Sequence, residues 1–377
     1  MTLKRLTTIA AWALLFVALC SVEAAPAYAA DDVSIRGANF LRDGKPWVMK
    51  GVVVTGLVAA AATVEHVRPA YKAARDIWGD SEIAAIKAYG ADTINLKVSQ
   101  PALDPAGGHY DPAYLKIVSD AVALARKAGL NVIVSMEWEG PTGVDDQLDM
   151  PTDATVVAPH SSTARAWGVL APVFASDRGV MYQLFDEPCA KRDDSDTWSA
   201  WQRGHQAAID AIRHAGAKNV LLAEGIRCGK WLTDVPRLTD PENALAYAVH
   251  PYPMPQGARR SDVDMFADAD FDRNFGRWQA SGQAVVASEW GLWPGNCHDG
   301  ADGNPTTPQI AANTLNYLKS HQIGLVVWAM DLPGTVWVTR NFRSPTSLAQ
   351  FAGCKPSGSG IGAMAHAYFT TGAVGVQ

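Results

Sequence analysis

The chain has 377 residues, of which 48% are hydrophobic and 19% charged, and a net charge of −6 at neutral pH. That length suits one large α/β domain with a sizeable core. The charge is mild and evenly spread, so there is no basic stripe to hold nucleic acid.

The first thirty residues read as a targeting segment rather than as fold. Lys4 and Arg5 form a basic start, Ile9–Cys20 is apolar, and Ala27-Tyr28-Ala29 offers a small-x-small cleavage site. This is the layout of a secretory signal peptide over residues 1–29. Its apolar core is short for a membrane span. The expected mature chain, residues 30–377, is exported, secreted or periplasmic. It is expected to be a monomer with no membrane partner.

Eight apolar, β-branched runs follow. They are Trp47–Val54, Thr93–Val98, Asn131–Met136, Val180–Phe185, Asn219–Ala223, Leu245–His250, Ala284–Ser288 and Gly324–Trp328. They are short and nearly continuous in apolar residues, as parallel strands buried on both faces should be. Amphipathic stretches lie between them. The spacing predicts helices over Ser81–Tyr89, Pro112–Lys127, Ser162–Ala175, Thr197–His214, Asp264–Ala280 and Pro308–His321, and a short one near Lys230–Val235. Several have caps, such as Pro112 at a first turn and Gly129 after a last one. Strand then helix, eight times over, predicts a single-domain (β/α)8 barrel of the α/β class. An open doubly wound sheet would need a Gly-x-Gly-x-x-Gly loop after an early strand, and the chain has none.

The long connections are Glu139–Ser161, Gly291–Thr307 and Ala329–Gly360. All three follow strands, on the face where barrels build their active sites. Two strand ends there carry glutamates, in Phe185-Asp186-Glu187-Pro188 and in Ala287-Ser288-Glu289-Trp290-Gly291. Glycoside cleavage needs one carboxyl that stays protonated and one that stays ionised. A lone strand-end glutamate would suit a structural ion pair, whereas two facing one cleft suit this chemistry. The partner is then a carbohydrate, polysaccharide or oligosaccharide. Trp138, Trp290, Trp293 and Trp337 lie on or beside the cleft loops. Each could stack a sugar or simply pack a loop.

These residues resemble the family 5 glycoside hydrolases, retaining cellulase-like barrels. Glu-Pro closes the fourth strand and Ser-Glu-Trp-Gly the seventh. Gly37-Ala38-Asn39-Phe40 and Asp43-Gly44-Lys45-Pro46 resemble the family's lead-in to its first strand. The resemblance implies that Glu187 is the acid/base and Glu289 the nucleophile. It also implies a retaining mechanism on a β-linked, cellulose- or mannan-type substrate. His250-Pro251-Tyr252 matches the family's His-x-Tyr, and Trp328 its tryptophan under the reacting sugar. At three places the chain departs from the pattern. Asp186 stands where the family has Asn, Lys97 where it has Arg, and Glu137 with Trp138 where it often has His. These departures motivate a second reading, a saccharide-binding barrel with impaired turnover.

Removal of Cys20 with the leader leaves Cys189, Cys228, Cys297 and Cys354, an even number in an exported chain. Three pairings are possible. Neighbouring barrel loops favour Cys189 with Cys228 and Cys297 with Cys354. There is no Cys-x-x-Cys and no His-Glu-x-x-His, so neither a metal nor another cofactor is expected.

Overall fold

The computed structural model describes residues 32–61, 74, 78–137, 158–189, 194–253, 264–293, 297–301, 303–338, 348–351 and 360–375. The leader, Trp138 and Cys354 lie outside these residues.

Eight parallel strands close into a barrel, as the strand–helix rhythm predicts. They are β4 (Lys50–Val54), β5 (Thr93–Ser99), β6 (Asn131–Glu137), β7 (Val180–Gln183), β8 (Leu221–Glu224), β9 (Leu245–Val249), β10 (Val285–Trp290) and β11 (Gly324–Val327). β11 pairs back onto β4 and completes the cylinder. Before the barrel come three short strands that were not predicted. β1 (Val33–Arg36), β2 (Asn39–Arg42) and β3 (Lys45–Pro46) form an antiparallel sheet. Gly37, Asp43 and Gly44 turn its hairpins with positive φ. Val33 and Phe40 of this sheet pack in one cluster with Met49, Val220 and Ala284, which precede barrel strands. The sheet therefore covers the amino-terminal end of the barrel, opposite the predicted cleft.

The helices follow their caps. Asp111 accepts from the Ala113 N–H at the start of Pro112–Lys127, and Asp194 accepts from the Thr197 N–H at the start of Ser195–His214. Three predicted helices are altered. Ser161–Leu170 tightens into a 3₁₀ turn at Ala171–Phe174, where Pro172 follows. Asp264–Ala280 starts at Asp268 and widens into a π turn over Asp272–Gly276. A Cβ on Gly276 would lie 1.9 Å from the Tyr317 hydroxyl, so the tyrosine occupies that space. The third, Lys230–Val235, is absent. In its place Ile226–Gly229 makes an irregular turn, with Arg227 and Cys228 in left-handed conformations.

The strand period of two explains the layers. Ile94, Leu96 and Val98, like Val132, Val134 and Met136, face the helices and join the large outer core. The alternate residues face the barrel axis. Ile133, Met181, Leu222 and Ala248 form part of an apolar interior layer. One step further along the same strands come Ser135, Gln183, Glu224 and His250, all buried. The interior thus changes from apolar to polar over two residues, from one inward-facing position to the next. The polar layer is the floor of the cleft.

Candidate active site

Glu187 follows the extended continuation of β7. The Leu184 N–H bonds to the Leu222 carbonyl, and the Asp186 N–H to the Met136 carbonyl. The backbone then turns sharply at Glu187, which has φ +46. An L-residue in that region costs roughly 1–2 kcal/mol, so the turn must be held by its surroundings. Part of the hold is the Glu187 N–H, which donates to Glu224 Oε2 at 3.2 Å. The Glu187 side chain is 33% exposed and reaches the cleft.

Glu289 lies within β10. The pairing of β10 with β11 shifts register between Ala287 and Trp290. That irregularity turns the Glu289 carboxylate inward, onto Lys97 and Tyr252. It turns the Trp290 side chain outward, fully buried in the outer core. The expectation of Trp290 as a sugar-stacking residue is corrected here: the shifted register makes it a core indole. Trp337 is likewise fully buried, and its ring lies 5.9 Å from Tyr89. Trp293 is only partly buried and meets Tyr252 edge-on.

The predicted neighbours converge on the two glutamates. The Tyr252 hydroxyl donates to Glu289 Oε1 at 2.8 Å. Burial, and then Glu289 beside it, push the Tyr252 phenol well above its ordinary range, so it stays a donor. His250 Nδ1 lies 3.0 Å from Glu187 Oε1, 3.2 Å from Glu224 Oε1 and 3.9 Å from Glu289 Oε1. Nδ1 carries the proton in this arrangement, since only oxygens of acids face it. Burial opposes a charge on His250. Glu224, Glu289, Glu187 and Asp186 outweigh it and push the imidazole up to about 10.

Lys97 Nζ is bonded to Asp186 Oδ1 and lies 2.9 Å from Glu289 Oε2. Burial works against this ammonium. Asp186, Glu289, Glu137 and Glu224 together hold its pKa well above the ordinary lysine value. Ser135 and Gln183 also donate to Asp186 Oδ1, at 3.3 and 3.0 Å. Glu137, at the end of β6, is buried within range of Lys97. Trp328 is partly buried after β11, with Lys97 Nζ 6.0 Å from its ring centre.

Glu224 was not among the expected site residues. It ends β8, one residue beyond the predicted strand Asn219–Ala223, and is fully buried. Its signal is the one that flagged Glu187 and Glu289, a carboxylate closing an apolar run.

The expected Cys189–Cys228 disulfide is present and ties the segment after Glu187 to the turn after β8. Cys297 is also disulfide-bonded.

Among the described residues, two groups of side chains bring ligand atoms within 4.8 Å of one another: Asp186 with His250 and Glu289, and Glu187 with Cys189 and Cys228. In the first, the Lys97 ammonium already bridges the two carboxylates. In the second, both sulfurs belong to the disulfide. Neither donor set suits a metal ion.

A closed (β/α)8 barrel with carboxylates, imidazole and phenol around one mouth defines a glycosidase-type site. The cellulase family, glycosyl hydrolase family 5, matches residues 62–332, and the chain belongs to it. The chain is 28% identical over 152 residues to the manganese dependent endoglucanase Eg5A of Phanerodontia chrysosporium. That match covers 38% of this chain and spans 36% of the relative's length. The fold is similar to the beta-glucanase SdGluc5_26A of Saccharophagus degradans, solved with cellotetraose. There the TM-score is 0.61 and the identity 20%, over 83% of this chain and 89% of that one. It is also similar to the catalytic domain of endoglucanase Cel5A of Thermobifida fusca. There the TM-score is 0.60 and the identity 16%, over 91% and 98% of the two chains.

Proposed function

We propose that the chain is an exported retaining glycosidase acting on a β-linked glucan, with Glu187 as acid/base and Glu289 as nucleophile. One observation carries this reading. A single nitrogen, His250 Nδ1, stands 3.0 Å from Glu187 and 3.9 Å from Glu289. Carboxylates so close to one shared atom fit the roughly 5–5.5 Å spacing of retaining pairs. Inverting pairs stand roughly 6.5–9.5 Å apart, with room for a water between them.

The roles follow from the surroundings. Glu289 accepts from the Tyr252 hydroxyl and faces the Lys97 ammonium, and the two hold its carboxylate in place for attack. Glu187 is the more exposed and can reach the leaving oxygen. Glu289 attacks the anomeric carbon while Glu187 passes its proton to the departing oxygen. Water, deprotonated by Glu187, then releases the sugar with its configuration kept. Trp328, at the rim, offers a face for the sugar.

A relative named as an endoglucanase and a similar fold solved with cellotetraose favour a β-glucan over a mannan. The leader-like first 29 residues and the disulfide support export. The saccharide-binding alternative drew on Asp186, on Lys97 and on the missing histidine after the third strand. The mutual ion pair of Asp186 and Lys97 weighs against it.

The test is turnover of a polysaccharide panel by the purified chain beside Glu187→Gln and Glu289→Gln, with the product anomer followed by proton NMR. The β-anomer should form first on β-glucan, and both variants should be nearly inactive. Undiminished turnover by Glu289→Gln would sink the assignment.

A further inference from the structure

We propose that Glu224 is a positioning residue for the acid/base step, holding the backbone of Glu187 and setting a second carboxyl against His250, the imidazole bonded to the Glu187 side chain. This rests on Glu187 being the acid/base.

The geometry has three parts. First, Glu224 Oε2 accepts from Gln183 Nε2 at 2.8 Å and from the Glu187 N–H at 3.2 Å. The second bond falls on the residue with φ +46, so Glu224 helps fix the turn that aims the Glu187 side chain. Second, Glu224 Oε1 and Glu187 Oε1 lie 3.2 and 3.0 Å from the same nitrogen, His250 Nδ1. The hydrogen bond from that nitrogen runs to Glu187, and Glu224 Oε1 meets the same nitrogen as a close ionic contact. Third, the chain is folded around this carboxyl. A Cβ on Gly229 would lie 2.0 Å from Glu224 Oε1 and 3.0 Å from His250 Cγ. Arg227, Cys228 and Gly229 are three successive residues with positive φ, and the His250 N–H is bonded to the Gly229 carbonyl. The disulfide and a Cys228 N–H to Pro188 carbonyl bond fasten this turn to the segment after Glu187. The Trp201 indole N–H holds the Glu224 carbonyl at 2.7 Å.

A fully buried carboxyl is costly, and its charge state depends on what surrounds it. Facing Glu224 are Gln183, Asp186, Glu187, Lys97 and His250. Burial pushes Glu224 well above the ordinary carboxylate range. His250 and Lys97 oppose that, and Asp186 and Glu187 add to it. Glu224 and His250 are thus coupled by charge across the Oε1–Nδ1 contact.

The experiment compares wild type, Glu224→Gln and Glu187→Gln on two substrates. One is a 2,4-dinitrophenyl β-cellobioside, whose leaving group needs no proton. The other is an unactivated cello-oligosaccharide. Folding is checked by circular dichroism, and kcat/KM is followed against pH. Glutamine keeps an oxygen for Gln183 and Glu187 but removes the carboxyl that faces His250. We expect Glu224→Gln to lose at least about tenfold more kcat/KM on the oligosaccharide than on the aryl substrate, with a displaced pH profile. An equal loss on both substrates with the wild-type pH profile would overturn the proposal. So would no loss on either. If Glu224→Gln does not fold, Glu224→Asp is read by the same two outcomes. Glu187→Gln must itself show the split between substrates. If it does not, the acid/base assignment falls, and not the Glu224 geometry alone.

Discussion

Lys97 and Asp186 form a buried ion pair beneath the cleft, with Lys97 1% exposed and Asp186 6% exposed at their side chains. Taken one residue at a time, each departs from the pattern the sequence resembles. In space the two departures are partners. The extra negative charge beside Glu187 is matched by an ammonium that also steadies Glu289.

Breaking such a pair leaves a buried charge uncompensated. Lys97→Met should therefore cost about 3–5 kcal/mol of stability in urea denaturation. Adding Asp186→Asn to it should restore part of that loss, since the orphaned carboxylate is gone. Simple additivity of the two substitutions would show that the pair is not coupled.

Gly229→Ala should damage the site without touching a reacting group. The left-handed backbone alone makes alanine cost about 1–2 kcal/mol. The new Cβ would also meet Glu224 Oε1 at 2.0 Å. The thermal midpoint and kcat should fall together. A variant with wild-type kcat would mean that the Glu224–His250 contact tolerates displacement.

His250 links stability to pH. Its pKa is raised in the fold from 6.5 to about 10, by carboxylates that outweigh burial. A raised pKa stabilises the protonated fold. That contribution is complete below pH 6.5 and is lost as pH rises towards 10. The urea midpoint of wild type should drop over that window relative to His250→Gln. A constant difference between the two proteins would contradict the shift.

The Cys189–Cys228 bridge spans 39 residues of sequence. In the chain-entropy account, a loop of that length is worth about 4 kcal/mol at most. Replacing both cysteines with alanine should lower the thermal midpoint. It should also lower kcat, because the bridge joins the turn after Glu187 to the turn that encloses Glu224. A stability loss with unchanged kcat would confine the bridge to a structural role.

Much of the site was legible because strand ends are legible. Glu187, Glu289, His250 and Trp328 each close an apolar run, and closed barrels gather such ends at one mouth. Tyr252 came with His250. Glu224 carried the same signal, but the fifth run was read one residue too short. Trp290 failed for a different reason. Strand alternation alone cannot reveal a register shift, and that shift decides which side chain faces inward. The three amino-terminal strands were missed because they are four residues or fewer, with turn residues between them. The Lys97–Asp186 pair lies 89 residues apart in sequence, and only the closed barrel brings it together.

The central claim is that Glu289 becomes covalently bonded to the sugar. A 2-deoxy-2-fluoro β-cellobiosyl fluoride slows release of that intermediate, because the fluorine destabilises the cationic transition state. Intact-mass spectrometry followed by peptide mapping reads the result. We predict one fluoroglycosyl group per chain, on the peptide carrying Glu289, with activity lost in step. An enzyme that turns over β-glucan yet takes no label, or takes it on Glu187 or Glu224, would contradict the account.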